Sequence, residues 1–164
     1  GAVRAAGREI TLHLVGRPDD PAYTRRILAL AARERAWVRV HLEVPRDALL
    51  ELLGRQRYGL HAMAGEHFGI AVAEMQGAGC VAFVSDEGGP VEIVGDPRQT
   101  FSNRGDAVSR IERVLADPAL QQELHRTALT RKGMFTAERF MAGIRAAVAE
   151  ILAEREVAER RRAS

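Results

Sequence analysis

The chain has 164 residues, of which 46% are apolar and 28% charged, with a formal net charge of +2. That length suits one domain with a substantial core, roughly 70% of its unfolded surface being buried, and the near balance of charge excludes a strong nucleic-acid field. The single cysteine, Cys80, excludes an internal disulfide and favours a reducing, cytoplasmic setting, while no apolar run approaches the ~20 residues that span a bilayer.

The chain opens on GAVRAAG, read as the disordered or cloning-derived start (residues 1–8) of an excised fragment. Glu9–Gly16 alternates with period two and reads as a strand. After the loop RPDDPAY, the segment TRRILALAARER sets Ile27, Leu28, Leu30 and Ala31 on one helical face. Trp37–Val44 reads as a second strand, stopped by Pro45. A short helix then ends near Gly54, and YGLHAM is a short strand. A helix over Gly69–Ala78 follows, with Gly79 as its C-terminal cap. Cys80–Asp86 is the continuous apolar strand expected of a parallel sheet buried on both faces. EGGP turns into a short helix around Val91–Val94, and Gln99–Ser102 is a candidate edge strand. Three helices close the chain. The first is capped by Asp106, the second begins at Pro118, and the third is the longest. Its basic end, residues 155–164, is expected to fray. Strands spaced by helices imply βαβ units, hence an α/β fold, a parallel sheet with helices on both faces. Ligands in such sheets sit beyond the carboxyl ends of the strands.

That rule points to AGEHFG and the helix behind it. Glu74 lies among Ile70, Ala71, Gly77 and Ala78 on its helix, an apolar, small-residue stripe. An unpartnered carboxylate there costs several kcal/mol, so a partner is required. Small neighbours leave room for a vicinal diol, whose two hydroxyls a carboxylate accepts together. An arginine is the alternative partner. Glu66 precedes a turn, Phe68–Gly69–Ile70, whose free amides suit a phosphate, and Gly69 permits close approach. Phosphate, ribose and sugar in a row describe a nucleotide sugar. The competing reading gives Glu66 only a favourable place at the helix dipole.

The segment EHFGIAVAE resembles the E-x7-E motif of retaining glycosyltransferases of the fourth sequence family. The longer run from Gly59 to Val94 is similar to the GDP-mannose α-1,2-mannosyltransferases of dolichol-linked glycan assembly. This resemblance covers roughly Ile10 to Leu152 and implies the C-terminal half of a GT-B fold, Rossmann-like, with a helical C-terminal extension. It implies that Glu74 binds the nucleotide ribose and Glu66 contacts the donor sugar. The backbone of Phe68, Gly69 and Ile70 would lie at the distal phosphate, and Val44–Pro45 would cradle the base. His67 is a further candidate, a donor to phosphate or sugar hydroxyl.

The resemblance also has departures. The family's half-domain opens with a strand ending in Gly-Arg, followed by a loop lysine. Here LVGRPDD matches the following strand better, so the first strand and its lysine are expected to be absent, and Arg17 is a weak match to the lost arginine. The N-terminal acceptor domain is expected to be missing too, leaving the nucleotide-sugar-binding unit at residues 9–154. The fragment alone is expected to be inactive, with an apolar patch exposed near the cleft.

Other residues carry weaker signals. His61 reads as a strand-end histidine, Gly88 and Gly89 as turn glycines that pack on the motif helix, and Glu92 as a first-turn acid or the family's later glutamate. Cys80 reads as core. Arg160–Arg162 reads as a solvated helix end, with contact to anionic lipid the alternative. No metal-ligand spacing, dinucleotide fingerprint or P-loop is present.

The implied protein is a hexosyltransferase without cofactor. Its donor is a GDP- or UDP-linked sugar and its acceptor a saccharide or lipid-linked glycan, with peripheral association at the inner membrane face. Two alternatives stay open: a related fold with epimerase or phosphorylase chemistry, or a non-catalytic interaction module.

Overall fold

The computed structural model of the chain describes residues 2–5, 7 and 9–162. Of the start expected to be disordered, residues 1, 6 and 8 lie outside that set, while Ala2–Ala5 form a helical turn, α1. The chain then alternates strand and helix: β1 Leu12–Gly16, α2 Pro21–Arg33, β2 Val38–Leu42, α3 Arg46–Gly54, β3 Tyr58–His61, α4 Ile70–Gly77, β4 Val81–Ser85, α5 Gly89–Val94 and β5 Thr100–Phe101. Three longer helices follow: α6 Arg104–Ala116, α7 Pro118–Arg131 and α8 Ala137–Arg162.

All the strand pairings are parallel, as the alternation requires. They fall into two separate ladders rather than one sheet: β1 with β2, and β3–β4–β5 with β4 central. Periodicity identifies strands but not their neighbours, so this division lies beyond a strand-by-strand reading. β1 pairs on one edge and β3 on one edge only, and their other edges meet no strand among the described residues.

The core belongs to the second ladder. Every residue of β4 is buried, and the pleat sends alternate side chains to opposite faces. Val81 and Phe83 pack with Phe101, Val114 of α6, and Leu120 and Leu124 of α7. Ala82 and Val84 pack with Val72 of α4 and Ile93 and Val94 of α5. By contrast, α2 and α3 contain no buried residue, and Val38 alone is buried in their strands.

Local signals set the element ends. The Asp20 side chain accepts from the amides of Ala22 and Tyr23, with Pro21 opening α2. α4 ends in a paired loop in which Gly79 N–H donates to Gln76 O and Cys80 N–H to Met75 O, with Gly79 at φ 87°. That geometry favours glycine, so the expected cap is present. Helix α6 starts at Asn103, which accepts from Asp106 N–H, while the Asp106 carboxylate accepts from Ser102 N–H. The cap is therefore Asn103, and Asp106, three residues on, holds the amide of Ser102 that precedes it.

Several helix limits differ from the sequence reading: α2 already begins at Pro21, inside the segment read as loop, because Asp20 caps it there, and α5 begins at Gly89. α4 begins at Ile70 because Gly69, at φ 92°, stands in the left-handed region and serves as N-cap. α8 is described as helix through Arg162, beyond the expected fraying point at residue 155. The Ala, Glu and Arg content of that stretch favours helix. The side chains of Arg160–Arg162 and all of residues 163–164 lie outside the described set.

Phe83 is 1% exposed and touches both β5 and the α6–α7 layer. Phe83→Ala is expected to cost about 3–5 kcal/mol and lower the melting midpoint by roughly 10 °C, measured by calorimetry.

Candidate functional site

The carboxyl ends of β2, β3 and β4 carry the loops that the sequence singled out. β3 ends at His61, and the loop 62–69 leads from it into α4. Glu66 sits midway, with a side chain 28% exposed. Its carbonyl accepts a 2.9 Å hydrogen bond from Gly89 N–H at the start of α5.

This approach is too close for any side chain. A Cβ on Gly88 would stand 2.1 Å from Glu66 O, and one on Gly89 2.2 Å from His67 O. Gly88 also holds φ 81°. Gly69 obeys the same constraint, since a Cβ there would meet Pro90 Cγ at 2.9 Å. The EGGP turn therefore clamps the 66–69 loop through backbone contact, while α5, which it opens, packs on α4. Glycine is dictated here by space as well as by torsion.

The clamp leaves α4 with an open mouth. The amides of Val72 and Ala73 both donate to Gly69 O, which leaves Ile70 and Ala71 as the first-turn donors free of backbone partners among the described residues. The Phe68 and Gly69 amides of the 68–70 turn likewise have no backbone acceptor among the described residues. Ile70 and Phe68 are 67% and 50% exposed, so the mouth faces solvent. Phe68 also meets Phe135 edge to face at 6.2 Å. Met63 on the same loop is 59% exposed.

His61 is not the satisfied strand-end histidine that the sequence suggests. Its Nε2 is buried without a hydrogen-bond partner and stands 3.8 Å from Glu66 Oε2. That separation exceeds a hydrogen bond but places ring and carboxylate in one small polar cluster. His67 is exposed, two residues from the helix mouth.

Glu74 meets the alternative partner named from sequence, an arginine. Arg46 Nη1 donates to Glu74 Oε1. The acid is 18% exposed, but the arginine side chain is 61% exposed, so the pair lies at the protein surface rather than in the interior. Arg46 is the first residue of α3 and follows Val44 and Pro45. The structure thus brings the 44–45 loop beside the second acid of the motif. Arg46 itself is absent from the sequence reading. Its signal is a cation in the first turn of a helix, where the dipole disfavours positive charge unless an acid compensates.

The remaining candidates resolve simply. Arg17 lies 3.6 Å from Asp19, with both side chains about four-fifths exposed. Cys80 is fully buried, donates toward Gln56 O at 3.4 Å, and has its thiol pushed up by burial, as a core cysteine does. Glu92 is an exposed acid in the first turn of α5. A cavity of about 260 Å³ lies at the other end of the strands, among Arg55, Arg57, Tyr58, Gly79 and His125, away from both motif acids. Among the described residues, no group of three or more His, Cys, Asp or Glu side chains is placed to hold a metal. No described helix is long and apolar enough to cross a membrane.

Comparison with known proteins adds the following. The family described as glycosyl transferases group 1 matches residues 2–131. A GDP-Man:Man(3)GlcNAc(2)-PP-Dol alpha-1,2-mannosyltransferase of Neurospora crassa is 37% identical over 102 residues, covering 56% of this chain and 18% of that protein. The Homo sapiens protein of the same name is 39% identical over 54 residues, covering 33% of this chain and 11% of its own length. The chain thus spans less than a fifth of these relatives. Among solved structures, a sucrose-phosphate synthase from Thermosynechococcus elongatus superposes with a TM-score of 0.73 at 21% identity, over 93% of this chain and 41% of that one. A glycosyltransferase from Rickettsia africae gives 0.67 at 17% identity, over 92% and 42%. These likenesses establish the fold, α/β with parallel strands, as half of a GT-B molecule.

The loop clamp yields a test that needs no ligand. Gly88→Ala places a methyl against Glu66 O and is expected to cost about 2 kcal/mol, lowering the melting midpoint by roughly 4–8 °C. Gly143→Ala, with open space around its Cβ on α8, is expected to leave the midpoint unchanged or raise it slightly.

Proposed function

The chain belongs to the glycosyl transferases group 1, and from that membership we propose that it is the donor-binding half of a retaining hexosyltransferase. The observation that carries this reading is the clamped loop at the carboxyl ends of β3 and β4, which sets Glu66 and His61 beside an open helix mouth. The diphosphate takes the amides of Ile70 and Ala71, the ribose takes Glu74, and the sugar lies toward Glu66 and His67. Val44 and Pro45 border the base. Glu66 positions the sugar rather than attacking it, and the donor needs no cofactor.

The chemistry follows from charge. As the glycosidic bond to the diphosphate lengthens, negative charge grows on the leaving oxygens and positive charge on the sugar ring. The helix mouth stabilises the first where it develops, and the Glu66 carboxylate faces the second. Such groups act without reorganising because the Gly88–Gly89 contact already fixes them.

The names of the relatives support a finer assignment: GDP-mannose as donor and a dolichol-diphosphate-linked glycan as acceptor, with the whole enzyme held peripherally at the cytoplasmic face of a membrane. The acceptor domain and one further strand belong to a longer polypeptide. Support comes from the unpaired edges of β1 and β3 and from the thin burial around the first ladder, both of which an intervening parallel strand would relieve.

Calorimetric titration of the chain with GDP, UDP and ADP tests the reading. A nucleoside diphosphate is expected to bind, and Glu74→Ala is expected to weaken it about tenfold or more. Binding unaffected by Glu74→Ala, or no binding of any nucleotide, would overturn the assignment.

A further inference from the structure

We propose that Arg46 is a specificity-determining residue of the donor site, forming with Glu74 a two-sided clamp on the ribose 2′-hydroxyl. This rests on the donor-site reading above and adds a residue to it. A hydroxyl both donates and accepts, whereas a carboxylate only accepts and a guanidinium only donates. Glu74 alone would take the hydroxyl proton and leave the oxygen lone pairs to water.

Arg46 supplies the complement at the right place. It engages a single oxygen of Glu74 through Nη1. No other side-chain partner of either residue occurs among the described residues, so Oε2 and the other guanidinium nitrogens remain open. The arginine is more than half exposed and stands where the 44–45 loop enters α3. Holding it there costs something, since a cation at a helix start opposes the dipole. Asp47 in the same first turn offsets part of that cost, while Pro45 makes no side-chain cap bond. An exposed ion pair by itself contributes little to folding, so stability is a weak reason for the arrangement. A hydroxyl placed against Oε2 and a free guanidinium nitrogen of the pair gains a charge-assisted bond from each group.

The clamp makes a prediction about the sugar of the nucleotide rather than its base. Isothermal titration would compare GDP with 2′-deoxy-GDP on the wild-type chain, Arg46→Ala and Arg46→Lys. The wild type is expected to prefer the ribonucleotide about tenfold or more. Arg46→Ala is expected to reduce that preference to roughly threefold or less, and Arg46→Lys to keep part of it. Three results would overturn the proposal: a full ribose preference in Arg46→Ala, tighter GDP binding in that variant, or no ribose preference in the wild type. The second would mean that the arginine merely competes for the acid. In the first two cases the donor site itself survives, whereas the third also removes the ribose contact assigned to Glu74. Absence of any nucleotide binding by the wild type would instead remove the donor site and the clamp together.

Discussion

One close approach governs the functional end of this molecule: the backbone of Gly88 and Gly89 pressed against the carbonyls of Glu66 and His67. No residue with a Cβ fits between them, and the bond from Gly89 N–H to Glu66 O fixes their register. The contact joins the loop after β3 to the turn after β4, two strands paired side by side. A rigid, buried β4 thereby sets the position of a solvent-facing loop. With the loop held, α4 starts at a defined point, its first amides point outward, and Glu74 emerges one turn along toward α3.

The same arrangement divides the molecule into a well-packed part and a sparse one. β4 is sandwiched between α4–α5 and α6–α7, and most of the fully buried side chains lie in those two layers. The β1–β2 ladder holds its own register but buries little, and its helices α2 and α3 show no buried residue. Links between the parts are few and specific. Arg46 reaches Glu74, the Cys80 thiol faces the carbonyls of Leu53 in α3 and Gln56 after it, and α1 rests on α6 while the Arg4 guanidinium lies 5.7 Å over Trp37. Local opening is therefore expected first in the β1–β2 unit. Any nucleotide spanning Glu74 and the 44–45 loop would tie it to the core.

Legibility in the sequence followed physical range. The helix–strand–turn run from Gly69 to Val94 was readable because its signals are local: a continuous apolar strand, a C-terminal Gly79, a Gly-Gly-Pro turn. Both motif acids were readable as candidates, and Glu74 as an acid in need of a partner. What escaped was non-local. Arg46 lies 28 residues from Glu74, and His61 gains its meaning only when the loop folds back to place Glu66 near it. The split into two ladders depends on strand neighbours, which an alternation pattern does not encode. Smaller displacements had local causes: Gly69 ends the loop rather than beginning the helix because of its left-handed torsion, and Asn103 rather than Asp106 caps α6 because its oxygen reaches the N3 amide.

The central claim is that the helix mouth and Glu74 together receive a nucleoside diphosphate. A crystal of the chain grown with GDP tests it most directly. The account predicts diphosphate oxygens within hydrogen-bond distance of the Ile70 and Ala71 amides and a ribose hydroxyl on Glu74, with the 66–69 loop unmoved. Nucleotide bound instead in the cavity beside His125, or a loop that leaves the Gly88–Gly89 contact to admit it, would contradict the account.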